Sequence, residues 1–529
     1  MKKKIFSAIC LLLSAVCIFS ACRKDNGNGG SGEEARPAPP RGRSGNDNGY
    51  GGSDKQAASA ASGDSTASSA NDLVLPYSNN DSLNPFFAVG TENISLTDLA
   101  YDPLFKVKAD YTPENVIAEK GDITGTSVTV TLSGARFSDG SSVSPQDVVY
   151  SFNKAKASSR YGQLLSNIQS AKASGGAVTF TLSSPDPYVL NALSFPVVKN
   201  GTADKTENIP IGSGPYVYRD GVFSKNENYG GSVNIPEIKL YEIENFTYAE
   251  NALEIGNVNF LFKDMSDSVY RHVSVDSSTV NMNNLVFLGI NDSKDVLSSS
   301  AVRTAIYYAI DKKDIASSSY QGYATAAPLL FNPAFSELSG ITNINFAESA
   351  NVDKAKSILT KTGYNKYAKD GSLTNGSQNL KVSLLVNSEN SFRAAAANSI
   401  AESLRSIGFS VTVDAVPLDK YNQKIASGDF DLYLGEIKLT ENLDLRPFFS
   451  EKGSASKGID FSLRAVTDYE AFCEGSIGLS EFLDSFLNDM PFVPVCYRSG
   501  FAAYKKGLKP DFSYSSDHLY AGICSWSLS

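Results

Sequence analysis

Apolar and polar residues alternate along parts of this chain as in strands, and elsewhere recur every three to four residues as in helices. Residues 72–77 (DLVLPY) predict a strand. Val128, Val130 and Leu132 alternate with Thr129 and Thr131, the pattern of a half-buried strand, and residues 177–182 alternate again. Between them Asp139-Gly140 makes a turn and Ser144 caps a helix. Pro145 takes the first helical position of that helix, and Asp147 is its capping-box acid. Val148, Val149, Phe152 and Ala155 form its buried stripe. Residues 287–290 predict a short strand that stops at Asn291. After a polar loop, Ala301, Val302, Ala305, Ile306, Ala309 and Ile310 make one helical stripe. Ser298, Ser299 or Ser300 caps this helix, and Lys312 and Lys313 suit the negative end of its dipole. Residues 287–314 are therefore a candidate hinge between lobes, or else an ordinary buried strand–helix unit. Farther on, a strand at 380–386 leads into a helix striped by Ala396, Ala397, Ile400, Leu404 and Ile407 and ended by Gly408. Phe409, Val411 and Val413 then alternate, completing a β-α-β unit that calls for a parallel sheet. Residues 418–427 predict another helix, and 428–432 begin another strand.

A chain of 529 residues is too long for one core, so two or three domains are expected. The formal charge is −10. Setting aside the three lysines of the leader, and a following segment balanced in charge, the body is still more acidic. An acidic body with no basic cluster argues against nucleic acid as a partner.

Residues 1–22 read as a secretion signal: Lys2–Lys4, a short apolar run, then Phe19-Ser20-Ala21-Cys22. Small residues before a Cys at the end of such a run resemble the bacterial lipoprotein cleavage site, which implies lipid (diacylglycerol, with palmitate-like acyl chains) on Cys22. The alternative is a plain secretory signal with an incidental Cys. The anchored protein is expected on the extracytoplasmic face of a cell membrane, periplasmic or at the surface. Residues 23–71 are rich in Gly, Ser, Ala, Asn and Pro, and predict a disordered tether with a mean reach of roughly 40 Å.

Catalytic chemistry finds little footing. The only histidines are His272 and His518, neither in a recognisable motif, so both read as surface or incidental residues. That weighs against a His-based hydrolase and against a histidine-rich zinc site, and no Cys-x-x-Cys is present. No catalytic residue, metal ligand or cofactor is expected. Cys473, Cys496 and Cys524 allow one disulfide or three free thiols. Ile211-Gly212-Ser213-Gly214-Pro215-Tyr216 lacks the Lys-Ser/Thr ending of a phosphate loop.

Several segments, in order, resemble one family. They are Ser82-Leu83-Asn84-Pro85, Tyr101-Asp102-Pro103-Leu104-Phe105, Phe137-Ser138-Asp139-Gly140 with the helix that follows, and Gly212-Ser213-Gly214-Pro215-Tyr216. Asn291 with Val302, Arg303, Ala305, Ile306, Ala309, Ile310 and Asp311 continues the series, as do Gly428-Asp429-Phe430-Asp431-Leu432 and Met490–Tyr497. Their order and spacing resemble the bacterial extracellular solute-binding proteins of the peptide/nickel class, the oligopeptide- and dipeptide-binding lipoproteins of ATP-binding-cassette (ABC) importers. The resemblance implies an α/β, periplasmic-binding-protein-like fold: bilobal, with mixed sheets flanked by helices, in the three-subdomain peptide-binding variant. One lobe would combine 72–105, 210–285 and 492–529. Residues 106–209 would be inserted as domain II, and 286–491 would form the other lobe. It further implies a non-catalytic, monomeric protein that binds an oligopeptide or similar small solute in an interlobe cleft and delivers it to permease subunits. Nickel-chelate or haem binding, or a surface adhesin or sensor that has lost transport, are the alternatives. In such proteins an acid after the "gdfDl" strand commonly pairs with the peptide amine. Here that loop is 435–449, with Glu441 as the best-placed acid and Asp444 behind it, or else it is a solvated acidic loop. The family's Trp is missing there; the only Trp is Trp526. Arg393 is the candidate for a ligand carboxylate or an exposed helix-start Arg, and Phe86, Tyr101 and Tyr308 are aromatics that either line the cleft or pack.

Overall fold

The structure is a computed structural model that describes residues 72–529 apart from 245 and 267–274. The leader with Cys22, the expected tether and His272 lie outside the described residues. Among the described residues no helix is long and apolar enough to cross a membrane.

Leu73–Tyr77 pairs in parallel with Glu237–Glu242, and Val222–Lys225 and Tyr216–Arg219 complete a four-stranded mixed sheet. A second four-stranded sheet runs Ala118–Thr124, Ser127–Leu132, Ala177–Leu182, Ile168–Ser174, all antiparallel. The alternation read at Val128 and Val130 is realised: both are fully buried, as are Val178 and Phe180 on the neighbouring strand. The helix Pro145–Ala157 lies on that face, with Phe152 edge-on to Phe180 and Phe195 at 5.7 and 6.1 Å between ring centres. Its capping box forms as expected: Asp147 N–H donates to Ser144 Oγ and Ser144 N–H to Asp147 Oδ2. The glycines of 211–216 serve close approach. A Cβ at Gly212 or Gly214 would stand 2.1 or 2.5 Å from the backbone of Ala100, where the helix Thr91–Ala100 ends.

The third large sheet has seven strands, with Lys381–Asn387 parallel both to Ser410–Val416 and to Leu432–Lys438. The helix Ser391–Ser406 joins the first two of these, giving the β-α-β unit that the pattern predicted. Strand Leu432–Lys438 takes in residues 435–438, so the expected loop at 435–449 begins only at Leu439 and ends in a short helix, Arg446–Phe449.

Two large cores result. We call the elements around Leu73–Ile238 and Trp526 lobe I, and those around Leu285–Tyr497 lobe II. The faces of both four-stranded sheets lie in the lobe I cluster. Two long antiparallel strands, Asp276–Ile290 and Phe492–Tyr504, run through both lobes. Val280 and Ala502 belong to the first core, while Leu285–Leu288 and Phe492–Val493 belong to the second. Between these ends the register slips. Asn281 faces Ser499 and Leu285 faces Tyr497, so Met282, Asn283 and Asn284 bulge opposite the single residue Arg498.

The bulge lies outside 287–314, the stretch expected either as a hinge or as a buried strand–helix unit. Leu288, Ile290, Leu297, Val302, Ile306 and Ile310 all sit inside the lobe II core, so that stretch is the buried strand–helix alternative. The strand that ends at Ile290 starts at Asp276; asparagines in its middle mask its apolar alternation. Ser299 is the N-cap residue of helix Ser300–Ala309, though no side chain bonds there. Lys312 folds back under the helix, its Nζ 3.1 Å from the Tyr307 carbonyl oxygen and 3.9 Å from the Tyr307 ring centre. Burial lowers its ammonium pKa to about 7.

Candidate functional site at the lobe seam

Strand Leu432–Lys438 delivers the segment 439–446 to the face where lobe II meets lobe I. The contacts across this seam are direct. Ser194 Oγ donates to Glu441 Oε2 at 2.8 Å, and His518 Nε2 lies 3.3 Å from the same oxygen. The other ring nitrogen of His518 is 3.2 Å from Asp98 Oδ1, on the helix Thr91–Ala100. Burial alone would lower the imidazole pKa, but Glu441 and Asp98 overcome it and hold His518 protonated with a pKa of about 10. Beside it Lys438 pairs with Asp517, and that pairing outweighs burial to hold the Asp517 carboxyl below its ordinary range.

A second cluster lies along the same segment. Asn442 Nδ2 donates to Asp186 Oδ2 at 2.7 Å, and Arg446 donates to Ser184 Oγ at 3.1 Å and to Asp444 Oδ1 at 2.7 Å. Burial raises Asp186 to about 6, against the opposing pull of Asn442 and Arg446. Asn191 Nδ2 bridges the carbonyls of Tyr111 and Glu441 at 2.8 and 3.1 Å.

Tyr111 enters lobe II as a peg. It tips the hairpin between Phe105–Val107 and Pro113–Asn115, its ring stands edge-on to Phe335, and its hydroxyl accepts from Asn332 at 2.9 Å. Its φ is +65°, and Leu443 across the seam has φ +54°, both costly for residues with a Cβ.

Four buried oxygens here have no hydrogen-bond partner: Asn283 Oδ1, Asn284 Oδ1, Glu441 Oε1 and Asn442 Oδ1. Asn283 Nδ2 reaches the carbonyls of Leu439 and Thr440, which fixes the bulge against the start of the 439–446 segment. Beside the bulge is a cavity of 240 Å³, lined by Asn281, Thr325, Asn332, Tyr497 and Arg498 among others. Arg498 is held by Glu436 and Asp264, and Glu436 also faces Arg393. The two guanidiniums outweigh burial and keep the Glu436 pKa low.

Residues 112–456 match the family model described as bacterial extracellular solute-binding proteins, family 5 Middle. The chain belongs to this family. Among curated relatives, the nickel-binding periplasmic protein of Escherichia coli (strain K12) is 27% identical over 252 residues, 44% of this chain and 46% of that protein. The oligopeptide-binding protein AppA of Bacillus subtilis (strain 168) is 24% identical over 319 residues, 54% of this chain and 57% of that one. The chain thus spans about half the length of the curated relatives it matches. Among solved structures, the periplasmic murein tripeptide binding protein MppA in its unliganded open form superposes with a TM-score of 0.70. It is 16% identical, and the superposition covers 87% of this chain and 97% of that one. That likeness carries the fold.

In this family 5 protein, the residues singled out from sequence fall in different places. Glu441 is at the seam, partnered by the protein's own Ser194 and His518. Asp444 is committed to Arg446 and to the Tyr469 hydroxyl. Arg393 stands at the start of its helix, 3.4 Å from Glu436. Phe86 and Tyr101 pack in the lobe I core, and Tyr308 packs in the lobe II core with Lys354 over its ring. All three are buried. Reading His518 as a surface or incidental residue is overturned: it is buried and ion-paired on both nitrogens. No local signal marked it, because its partners lie far away in sequence. Cys473, Cys496 and Cys524 are free. Among the described residues no group of three His, Cys, Asp or Glu side chains is arranged to hold a metal ion.

Proposed function

We propose that this protein captures an oligopeptide, or a small solute with similar hydrogen-bonding groups, between its lobes and delivers it to an ABC importer. The carrying observation is the set of unpartnered buried oxygens on Asn283, Asn284, Glu441 and Asn442. All four accept and none donates, so the complementary guest offers N–H groups, as a peptide backbone and its terminal amine do. A pocket for a small organic ligand usually measures about 300–1,000 Å³, so the 240 Å³ beside the bulge admits only a fragment while the lobes touch. An oligopeptide requires them to part, and the bend is proposed to fall at the bulge at 282–284, where the pairing of the two long strands slips. On entry the guest's N–H groups replace Ser194 and His518 at Glu441. Closure then follows from contacts made to both lobes.

The lobes are proposed to divide at the boundaries implied by the family resemblance, with 106–209 as an insertion. Cys22 is proposed as the site of a lipid anchor on the extracytoplasmic face. Asp444 and Arg393 are proposed as supports of the acceptor set through Arg446 and Glu436.

Mass spectrometry of molecules released from the purified protein, followed by calorimetry with defined peptides, tests this reading. Peptide binding that weakens in Asn442→Ala supports it. Binding of nickel chelates or haem with no affinity for any peptide overturns it. So does an empty protein that binds none of a peptide library, which would favour an adhesin or sensor.

A further inference from the structure

Another cavity lies away from the seam, among the elements of lobe I. It measures 460 Å³ and is lined by Asp102, Lys106, Ser213, Tyr229 and Cys524 among others; no residue of the 439–446 segment reaches it. Its volume falls in the range of small-molecule sites, about 300–1,000 Å³. The wall is open because glycines build part of it: a Cβ at Gly134 or Gly230 would meet nothing within 4 Å.

The polar groups facing this space are only partly used. Asp102 is 3% exposed, and Lys106 Nζ at 3.1 Å is its ion-pair partner. Lys106 is itself buried, with its Nζ 6.0 Å from the Tyr514 ring centre. Burial opposes its charge, but Asp102 prevails and the ammonium pKa is raised. Ser213 is 4% exposed and its hydroxyl has no partner. Tyr229 receives only the weakly donating thiol of Cys524, at 3.8 Å, which leaves its own O–H proton to give. Glu114, at the rim, is already taken by Tyr514 and Lys108.

The lining is thus balanced in charge: Lys106 and Asp102 pair at the buried end, with the hydroxyls of Ser213 and Tyr229 beside them, while Glu114 and the exposed Arg136, which donates to the Gly140 carbonyl, offset each other at the rim. A guest of either net charge would leave a buried charge uncompensated, whereas a zwitterion meets both. We propose that this cavity is a second binding site, independent of lobe closure, for a small zwitterion of the α-amino acid class. The guest's carboxylate meets Lys106, Ser213 and Tyr229, and its ammonium meets Asp102. The walls come from the lobe I core and the 106–209 insertion that shares it, and none from lobe II, so occupancy does not require the seam to open or shut.

Calorimetry of the full chain in detergent, with L-serine as the probe, tests this. One saturable site is expected. N-acetyl-L-serine and L-serine methyl ester, each lacking one of the two charges, should bind at least about tenfold more weakly. Gly230→Phe, which places a ring in open space, should weaken L-serine by a similar factor. The paired change Asp102→Asn with Lys106→Met, which removes both charges together, should do the same, and Glu441→Gln should leave it unchanged. Absence of saturable L-serine binding into the millimolar range overturns the proposal. So does binding that survives Gly230→Phe and the paired change, or binding lost in Glu441→Gln alone, which would move it to the seam.

Discussion

His518 offers the sharpest perturbation of the seam. Its imidazolium sits between Asp98 of lobe I and Glu441 of lobe II, so a single proton ties the two lobes. The structure raises its pKa from the ordinary 6.5 to about 10. A base whose pKa is raised on folding contributes fully below its unfolded value and loses that contribution as pH climbs through the folded one. The window is therefore pH 6.5 to about 10. Each pH unit is worth about 1.4 kcal/mol, which bounds the total near 5 kcal/mol. Breaking a buried ion pair by removing one partner costs about 3–5 kcal/mol, the same order. His518→Gln should therefore destabilise the closed arrangement by about 3–5 kcal/mol at pH 6.5, and by progressively less towards pH 10. Urea denaturation at several pH values, with X-ray scattering alongside to follow the separation of the lobes, measures both effects. Because buried Lys312 titrates in the same window in both proteins, the His518 contribution is read as a difference: relative to His518→Gln, wild type should lose stability, and gain radius of gyration, as pH rises through it. Parallel pH profiles for the two proteins would refute the assignment of a charged, lobe-bridging imidazole.

Other outcomes follow from single sites. Arg303 is buried and donates to the carbonyls of Asp489, Met490, Leu297 and Ser298, so Arg303→Met should cost about 3–5 kcal/mol in thermal melts, and Arg303→Lys should recover only part. Phe287→Ala, which removes a ring packed against Phe448, Tyr433 and Phe492 at 4.9–5.8 Å, should lower lobe II stability by about 3–5 kcal/mol, read from the melting temperature. Ser144→Ala should cost about 1 kcal/mol by loss of its cap, seen as faster hydrogen exchange in the first turn of Pro145–Ala157.

What could be read beforehand is what depends on neighbours in sequence. The capping box of Ser144 and Asp147 and the alternation through Val128 and Val130 each need a handful of residues and came through as expected. So did the β-α-β unit around Ser391–Ser406. The long strand Asp276–Ile290 was read as four residues because Asn281, Asn283 and Asn284 interrupt its apolar run, and those polar residues are what the bulge needs. At the seam Glu441 stood out through the family pattern. Its partners did not: Ser194 lies 247 residues upstream, and Asp98 and His518 are 420 apart. Such pairings are products of the tertiary fold, and no local periodicity encodes them.

The placement of Trp526 bears on how the molecule is assembled. Its ring is fully buried against Phe260, at 4.9 Å between ring centres, in the same core as Leu73. Lobe I is therefore stitched from segments at opposite ends of the described chain, while the bulk of the lobe II core comes from one stretch. During synthesis or export, in which the N-terminal part emerges first, lobe II has its residues together early and lobe I must wait for the last of them. A chaperone guarding nascent chains would meet an unfinished lobe I holding apolar strands such as Leu73–Tyr77 without their final cover.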